Sequence, residues 1–366
     1  MKLKKIKLIN YRNFSKKEFV FKKTNVILAP NASGKTNLLE AIYLLAAGKS
    51  FRTSQNQSLV KKNQNFARIE ANIESENKNT KIEFVIDLKN FKHKKIKIDS
   101  ASKPIFEIIG KLKSVYFSPE SLEIILGSPS ERRRFIDITI SQTDIKYAKN
   151  LAELLQIIKN RNILLKKIQE NQANFQELDF WNIKLADLSA KIIEKRFVLI
   201  SELNTKISKY YDELSESEDV LSLDYKSQVQ NFKNRQIIKK QIEEKIITRK
   251  EPEIFFGKTM VGPQREDLLF KLNNQEMSQI ASRGEIRTAL IALKLAEMDY
   301  VKNAAGGESP ILLLDDPFSE LDKKRTAQLF IKLKELNQIF ITSANQEKIQ
   351  NQIKGKINII KLNEFR

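Results

Sequence analysis

The stretch from Asn25 to Glu40, Asn-Val-Ile-Leu-Ala-Pro-Asn-Ala-Ser-Gly-Lys-Thr-Asn-Leu-Leu-Glu, leaves the chain few ways to fold. Val26-Ile27-Leu28 reads as a short buried strand. Ala29 to Thr36 is a tight loop, and Leu38, Leu39, Ile42 and Leu45 then recur at helical spacing. Strand, small-residue loop, Gly-Lys-Thr and helix is the order of a P-loop. The backbone N–H groups of such a loop wrap nucleotide phosphates, and the helix N-terminus adds a favourable dipole. Ala29, Pro30, Asn31, Ala32, Ser33, Gly34, Lys35 and Thr36 are therefore the candidate nucleotide contacts. Lys35 would reach the β- and γ-phosphates, and the Thr36 hydroxyl would ligate Mg²⁺. The first glycine of the usual pattern is Ala29 here, which is small but unsuited to a position that needs φ > 0.

A second apolar run ends in acid. Ile311-Leu312-Leu313-Leu314-Asp315-Asp316 has the pattern of a fully buried parallel strand. Carboxylates at its C-terminal end fall where open α/β sheets bind ligands. Asp315 could hold Mg²⁺, and Asp316 could orient the attacking water. Between the two runs, Ala281-Ser282-Arg283-Gly284-Glu285 opens a helical segment, with Ser282 and Glu285 spaced as a capping box.

Composition narrows the chemistry. Cysteine is absent and His93 is the single histidine, so disulfides, thiolate metal sites and Ser-His-Asp triads are excluded or disfavoured. No apolar run approaches the length of a membrane span. The N-terminus alternates charged and apolar residues like a strand, not like a signal peptide, so no membrane and a cytoplasmic location are expected. The formal charge is +20, from 65 basic and 45 acidic residues. A polyanion partner is the direct reading, although the abundance of Lys, Asn and Ile also fits A/T-rich codon usage.

At 366 residues, two lobes are expected. Strand patterns cover Lys2 to Asn10, Glu18 to Phe21, and an antiparallel meander at Ala67 to Glu74, Lys81 to Leu88 and Lys94 to Asp99. Val115-Tyr116-Phe117 leads to a break at Ser118-Pro119-Glu120. From Glu131 the apolar spacing predicts two long antiparallel helices, parted by a polar break at Asn171 to Gln176 and each about 60 Å long. The boundaries are an N-terminal head part at 1–120, a mainly helical lobe at 121–255 and a C-terminal head part at 256–366.

Ser-x-Gly-Glu placed before an acid-tipped strand resembles the ABC-type ATPases. There the signature serine completes the γ-phosphate site of a second subunit, and Ser319-Glu320-Leu321-Asp322 resembles their D-loop. The resemblance narrows to bacterial RecF. Leu8 to Phe14, the P-loop, Gly48 to Thr53, Glu131 to Asp137, Arg161 to Lys166, Gly262 to Leu268, Ser282 to Gly284 and Leu313 to Asp322 match that family in order, over nearly the whole chain. The implied fold is α/β: an ABC-type ATPase head, with a P-loop mixed sheet and an antiparallel meander, plus an inserted helical lobe. The implied activity is slow, DNA-stimulated ATP hydrolysis, with ATP and Mg²⁺ bound and an ATP-dependent homodimer forming on DNA. Duplex or single-strand/double-strand junctions at gaps are the implied DNA, and loading of RecA with RecO and RecR the implied role.

By that resemblance Lys35, Ser282 and Asp316 are catalytic, and Thr36 and Asp315 hold the metal. Arg12, Asn13, Gly284 and Asp322 join the loop in touching nucleotide. Lys49, Arg52, Arg132, Arg133 and Arg134 are candidate DNA contacts, but three consecutive arginines cannot share one helix face, so at least one of them is expected to serve an internal pair or the lobe interface. The family usually has glycine where Ala29 and Ala32 stand, His at Gln264 and Asp at Glu266, and glutamine at Glu285. The switch histidine common in ABC transporters is missing from Ile341 to Asn345. An ABC transporter subunit fits the charge poorly. An SMC-like structural tether would need a longer insert than 120–255, and a fused nuclease has no acidic module after Asp322.

Overall fold

The computed structural model describes residues 1–30, 33–53, 55–75, 78–90, 94–215, 217–317, 336–344 and 356–362. Asn31, Ala32, His93 and Ser319 to Asp322 lie outside them. The chain forms two compact units. The first combines Met1–Leu122, Tyr210–Ser217 and Ser282–Arg366; the second combines Glu123–Lys209 and Glu218–Ala281.

In chain order the elements begin with β1 (Lys2–Tyr11), β2 (Phe14–Val20), β3 (Thr24–Leu28), α1 (Lys35–Ala47), β4 (Phe66–Ser75), β5 (Lys78–Asp87), β6 (Lys94–Ile98), β7 (Ala101–Lys103) and β8 (Ser114–Phe117). The middle of the chain holds α2 (Glu123–Leu126), α3 (Pro129–Ser141), α4 (Ile145–Gln169), α5 (Asp179–Ser215), β9 (Leu221–Lys226), α6 (Arg235–Thr248), α7 (Lys250–Phe256), β10 (Asp267–Leu272), β11 (Gln275–Glu276) and α8 (Met277–Ile280). Then come α9 (Arg283–Ala304), β12 (Ile311–Leu314), β13 (Ile339–Ser343) and β14 (Asn358–Lys361).

The parallel and antiparallel strands of the first unit sort into two sheets. One has the order β14-β3-β13-β12-β8 and every described pairing in it is parallel. β12 is buried along its length, which is why it reads as a continuous apolar run and not as an alternation. The other sheet is the expected meander, β2-β1-β4-β5-β6-β7, all antiparallel. It alternates a buried face, with Ile69, Ala71, Ile82 and Phe84, against a charged face laced by pairs such as Arg68–Glu83. A register shift between Leu3 and Lys5 moves the buried positions of β1 from Leu3 to Ile6 and Leu8.

The second unit departs from two equal helices. The first helical tract breaks into α3 and α4, of 13 and 25 residues, while α5 runs 37 residues. Apolar spacing continues across the break, but α3 ends at Ser141 and Asp144 caps the next helix, accepting the Tyr147 N–H at 3.0 Å. The unit also reaches further than 255. β10 pairs with β9, so the chain through Ala281 clusters with the helical lobe.

Buried arginines tie this unit together. Arg161 is 2% exposed and donates to Glu253 at 2.5 Å, Thr259 Oγ1 at 3.0 Å and Asn182 Oδ1 at 3.0 Å. Arg196 donates to Asp137 at 2.8 Å and to the Pro263 carbonyl at 2.7 Å, and lies 3.4 Å from Glu266. Tyr225 and Ser227 also donate to Glu266. Taking one partner out of such a pair strands the other charge in a dry interior, at a cost of about 3–5 kcal/mol. Arg161→Ala should therefore lower the stability read by urea unfolding by about that amount. The double change Arg161→Met with Glu253→Leu should recover most of the loss, since it leaves no charge behind.

Candidate nucleotide site

The C-terminal ends of β3, β13, β12 and β8 lie along one edge of the parallel sheet. β3 delivers the loop that starts at Ala29, and β12 delivers Asp315 and Asp316. Gly34 precedes α1 at φ 101, and no side chain caps the helix start. Its first-turn N–H groups are therefore donors suited to an anion.

The Lys35 ammonium donates to the carbonyls of Ala29 at 2.5 Å and Pro30 at 3.0 Å. Burial pulls its pKa down, against the opposing pull of the Asp316 and Asp315 charges. Asp315 is 7% exposed. Burial pushes its carboxyl up, and hydrogen bonds from the Thr342 and Thr36 hydroxyls resist the shift. Thr342 Oγ1 donates to Asp315 Oδ1 at 2.6 Å, and the Tyr116 hydroxyl stands 3.4 Å from Oδ2. A buried carboxylate bonded to the Thr36 hydroxyl is a hard oxygen donor pair that fits Mg²⁺. The sheet edge thus brings Lys35, Thr36, Asp315 and Asp316 together.

Ala29 answers the question its sequence raised. It is not among the described residues at positive φ, so the position makes no demand for glycine. Gly34 does make that demand. A Cβ there would collide with the Asn13 amide, and φ 101 is hostile to L side chains.

Arg12 and Asn13 hold the loop's surroundings. Arg12 gives Nε and Nη2 to Glu40 at 2.7 and 2.6 Å and Nη1 to the Ser58 carbonyl at 2.7 Å. Tyr11 and Ser50 also donate to Glu40, which is fully buried on α1. Asn13 donates to the Ser33 carbonyl at 3.0 Å and accepts from Asn37 at 2.9 Å. Arg52 in turn donates to Asn37 at 3.1 Å and is exposed.

Ser282 caps α9 as expected, with both halves of the box formed to Glu285. Among the described residues, neither Ser282 nor Gly284 hydrogen-bonds the loop or the acids, and the Gly284 carbonyl accepts the Thr288 hydroxyl at 2.9 Å.

Two members of the arginine run are turned inward, as consecutive positions on one helix require of at least one. Arg132 makes a bidentate pair with Asp267 at 2.7 and 2.8 Å and donates to the Gly127 carbonyl at 2.6 Å. Arg133 donates to the Glu266 carbonyl at 2.8 Å, and Arg134 lies 3.9 Å from Glu131. Arg132 is buried, because the helix turns it into the unit.

Residues 2–363 match the RecF/RecN/SMC N-terminal domain family. The chain belongs to the RecF family. It is 34% identical over 367 residues to the DNA replication and repair protein RecF of Ligilactobacillus salivarius, covering 99% of this chain and 96% of that protein. It is 35% identical over 356 residues to the protein of that name from Bacillus cereus, covering 96% and 94%. A solved structure of the recombination mediator protein RecF-ATP in the RecFOR pathway superposes with a TM-score of 0.89 at 34% identity, covering 98% of this chain and 95% of that one. An SmcHead bound to the C-winged helix domain of ScpA gives a TM-score of 0.52 at 16% identity, covering 98% and 93%, which shows a shared fold alone. The fold is therefore the ABC-type ATPase head common to RecF and SMC proteins, with a helical lobe inserted.

Sequence patterning missed Tyr116, Thr342, Asn37 and Glu40. Tyr116 and Thr342 reach Asp315 only because strands distant in sequence pair there, whereas Asn37 and Glu40 follow the loop on α1 and gain their part through Asn13 and Arg12. The two loop positions give a paired prediction. Gly34→Ala should lower the melting temperature, costing about 1–2 kcal/mol from the left-handed backbone before any clash. Ala29→Gly should cost less than about 1 kcal/mol, because the native conformation there is open to both residues. Thermal unfolding of the two variants beside the unaltered protein checks both.

Proposed function

We propose that this chain is an ATP-hydrolysing, DNA-binding repair mediator of the RecF type, acting in the cytoplasm as an ATP-dependent homodimer on duplex or gapped DNA. The observation that carries the reading is the meeting of Lys35 and Thr36 with Asp315 and Asp316 at one sheet edge. ATP is the substrate, with its phosphates on the loop N–H groups and on Lys35. Thr36 and Asp315 would hold Mg²⁺, which when bound neutralises charge on the phosphate oxygens. Asp316 accepts a hydrogen bond from the attacking water and aims its oxygen at the γ-phosphorus. The bond to the oxygen that leaves with ADP breaks, giving ADP and phosphate. Lys35 stabilises negative charge as it moves onto the leaving oxygen.

Ser282 and Gly284 at the start of α9, with Asp322, complete the site of a second copy. Two ATP molecules then bridge two heads, and hydrolysis separates them. The family's role in the RecFOR pathway supports DNA gaps as the place of action, with RecO and RecR as partners and RecA loading as the outcome. The charge of +20 supports a DNA partner; stimulation of a slow turnover by that DNA is what the family resemblance implies. Arg52, exposed and bonded to Asn37 next to the nucleotide loop, and the exposed Lys49 remain the basic candidates for DNA phosphate.

Lys35→Ala should abolish ATP binding and ATP-dependent dimerisation together; normal affinity for a fluorescent ATP analogue in that variant would sink the assignment. Ser282→Arg should leave ATP binding intact and block dimerisation, as read by sedimentation with ATP and gapped duplex. DNA affinity should fall steeply as salt rises. A flat salt response would leave the basic charge without a role in binding.

A further inference from the structure

Thr342 sits on β13, between the loop strand β3 and the acid-tipped strand β12, and is fully buried. Its single hydroxyl makes two bonds of opposite sense. It accepts the backbone N–H of Asp316 at 2.9 Å and donates its proton to Asp315 Oδ1 at 2.6 Å. One side chain therefore touches both acids, one through its backbone and the other through its carboxylate.

Each bond answers a separate need. Asp316 has φ 44, a left-handed conformation that an L residue holds only when its surroundings insist. The Thr342 oxygen supplies an acceptor for its N–H at that unfavourable angle. Asp315 is a buried carboxylate, and a buried oxygen without a donor is costly. The Thr342 proton satisfies Oδ1, while the Tyr116 hydroxyl lies beside Oδ2. Threonine is better suited than serine to this double duty. Its β-branch restricts χ1 on a strand, so the oxygen stays where both bonds need it. The strand fixes the side-chain direction as well, since β13 pairs in register with β12 on one side and β3 on the other.

We propose that Thr342 is a positioning residue that locks the carboxylate of Asp315 and the backbone of Asp316 into one arrangement, so that the metal-holding acid and the water-orienting acid keep a fixed relation. The proposal rests on the roles given to Asp315 and Asp316 above. Thr342 is fully buried and acts through the two acids it bonds. A purely structural threonine would satisfy the same buried groups, but its loss would lower stability without selecting any step of the reaction.

Thr342→Val keeps the shape and removes the hydroxyl, and Thr342→Ser keeps the hydroxyl and loosens χ1. Binding of a fluorescent ATP analogue would be titrated with EDTA and with Mg²⁺, alongside steady-state hydrolysis and thermal unfolding. Val should bind within about twofold of the unaltered protein in EDTA and lose about tenfold of the tightening that Mg²⁺ produces, the cost of one buried charged hydrogen bond. Its kcat should drop about 30-fold while its KM rises about tenfold with the lost Mg²⁺ tightening, so that turnover at saturation falls beyond what weaker binding accounts for. Ser should return most of both. An unchanged Mg²⁺ response and kcat in Val would overturn the inference, as would equal loss in Val and Ser. If Val does not fold, Ser decides: a retained Mg²⁺ response supports the proposal and its abolition overturns it. An unaltered protein that binds no nucleotide in Mg²⁺ would instead overturn the proposed function, and this inference with it.

Discussion

A carboxylate buried at the end of a fully apolar strand needs donors, and the head is built around supplying them to Asp315. β12 puts the acid at the sheet edge, and its burial penalises the charged form. Thr36 at the start of α1, Thr342 on β13 and Tyr116 on β8 converge on it from three other elements. Loop, strand order and acid thus form one device. If β3, β13, β12 and β8 were not adjacent and parallel, the charge would have no company and the loop no counterpart.

The helical unit solves a similar problem with the opposite sign. Arg161 and Arg196 are buried guanidinium groups, each surrounded by acids, carbonyls and side-chain oxygens. Buried ion pairs gain little stability over a well-packed apolar core, but removing one partner leaves the other charge uncompensated. The matched segments Glu131 to Asp137, Arg161 to Lys166 and Gly262 to Leu268 supply most of these partners. Their family character is therefore architectural: Asp137, Asp267 and Glu266 are spent on arginines inside the same unit.

The elements visible in the sequence were those whose pattern is local. β12 and β3 announce themselves as apolar runs, β4 and β5 as alternation, and the start of α9 as a Ser-x-x-Glu box. The division of the first helical tract was hidden, because apolar spacing is in phase on both sides of Asp144 and only the cap shows the stop. At the site, the loop and the two acids were legible because each lies in one contiguous motif. Thr342 and Tyr116 were not, since their part depends on which strands become neighbours. Which arginine of the run turns inward was hidden for a related reason: charge in a sequence says nothing of whether an acid such as Asp267 waits 135 residues away.

The alanine that opens the nucleotide loop has a consequence for the unfolded chain. Ala29 occupies a backbone conformation that needs no glycine, so its methyl group costs the folded loop no left-handed strain. The same methyl denies the denatured ensemble many of the conformations that glycine would roam, which favours the folded state by about 0.4–1 kcal/mol. A residue that looks like damage to a motif instead acts as a stiffener, leaving less disorder to be frozen out when the loop closes on an anion.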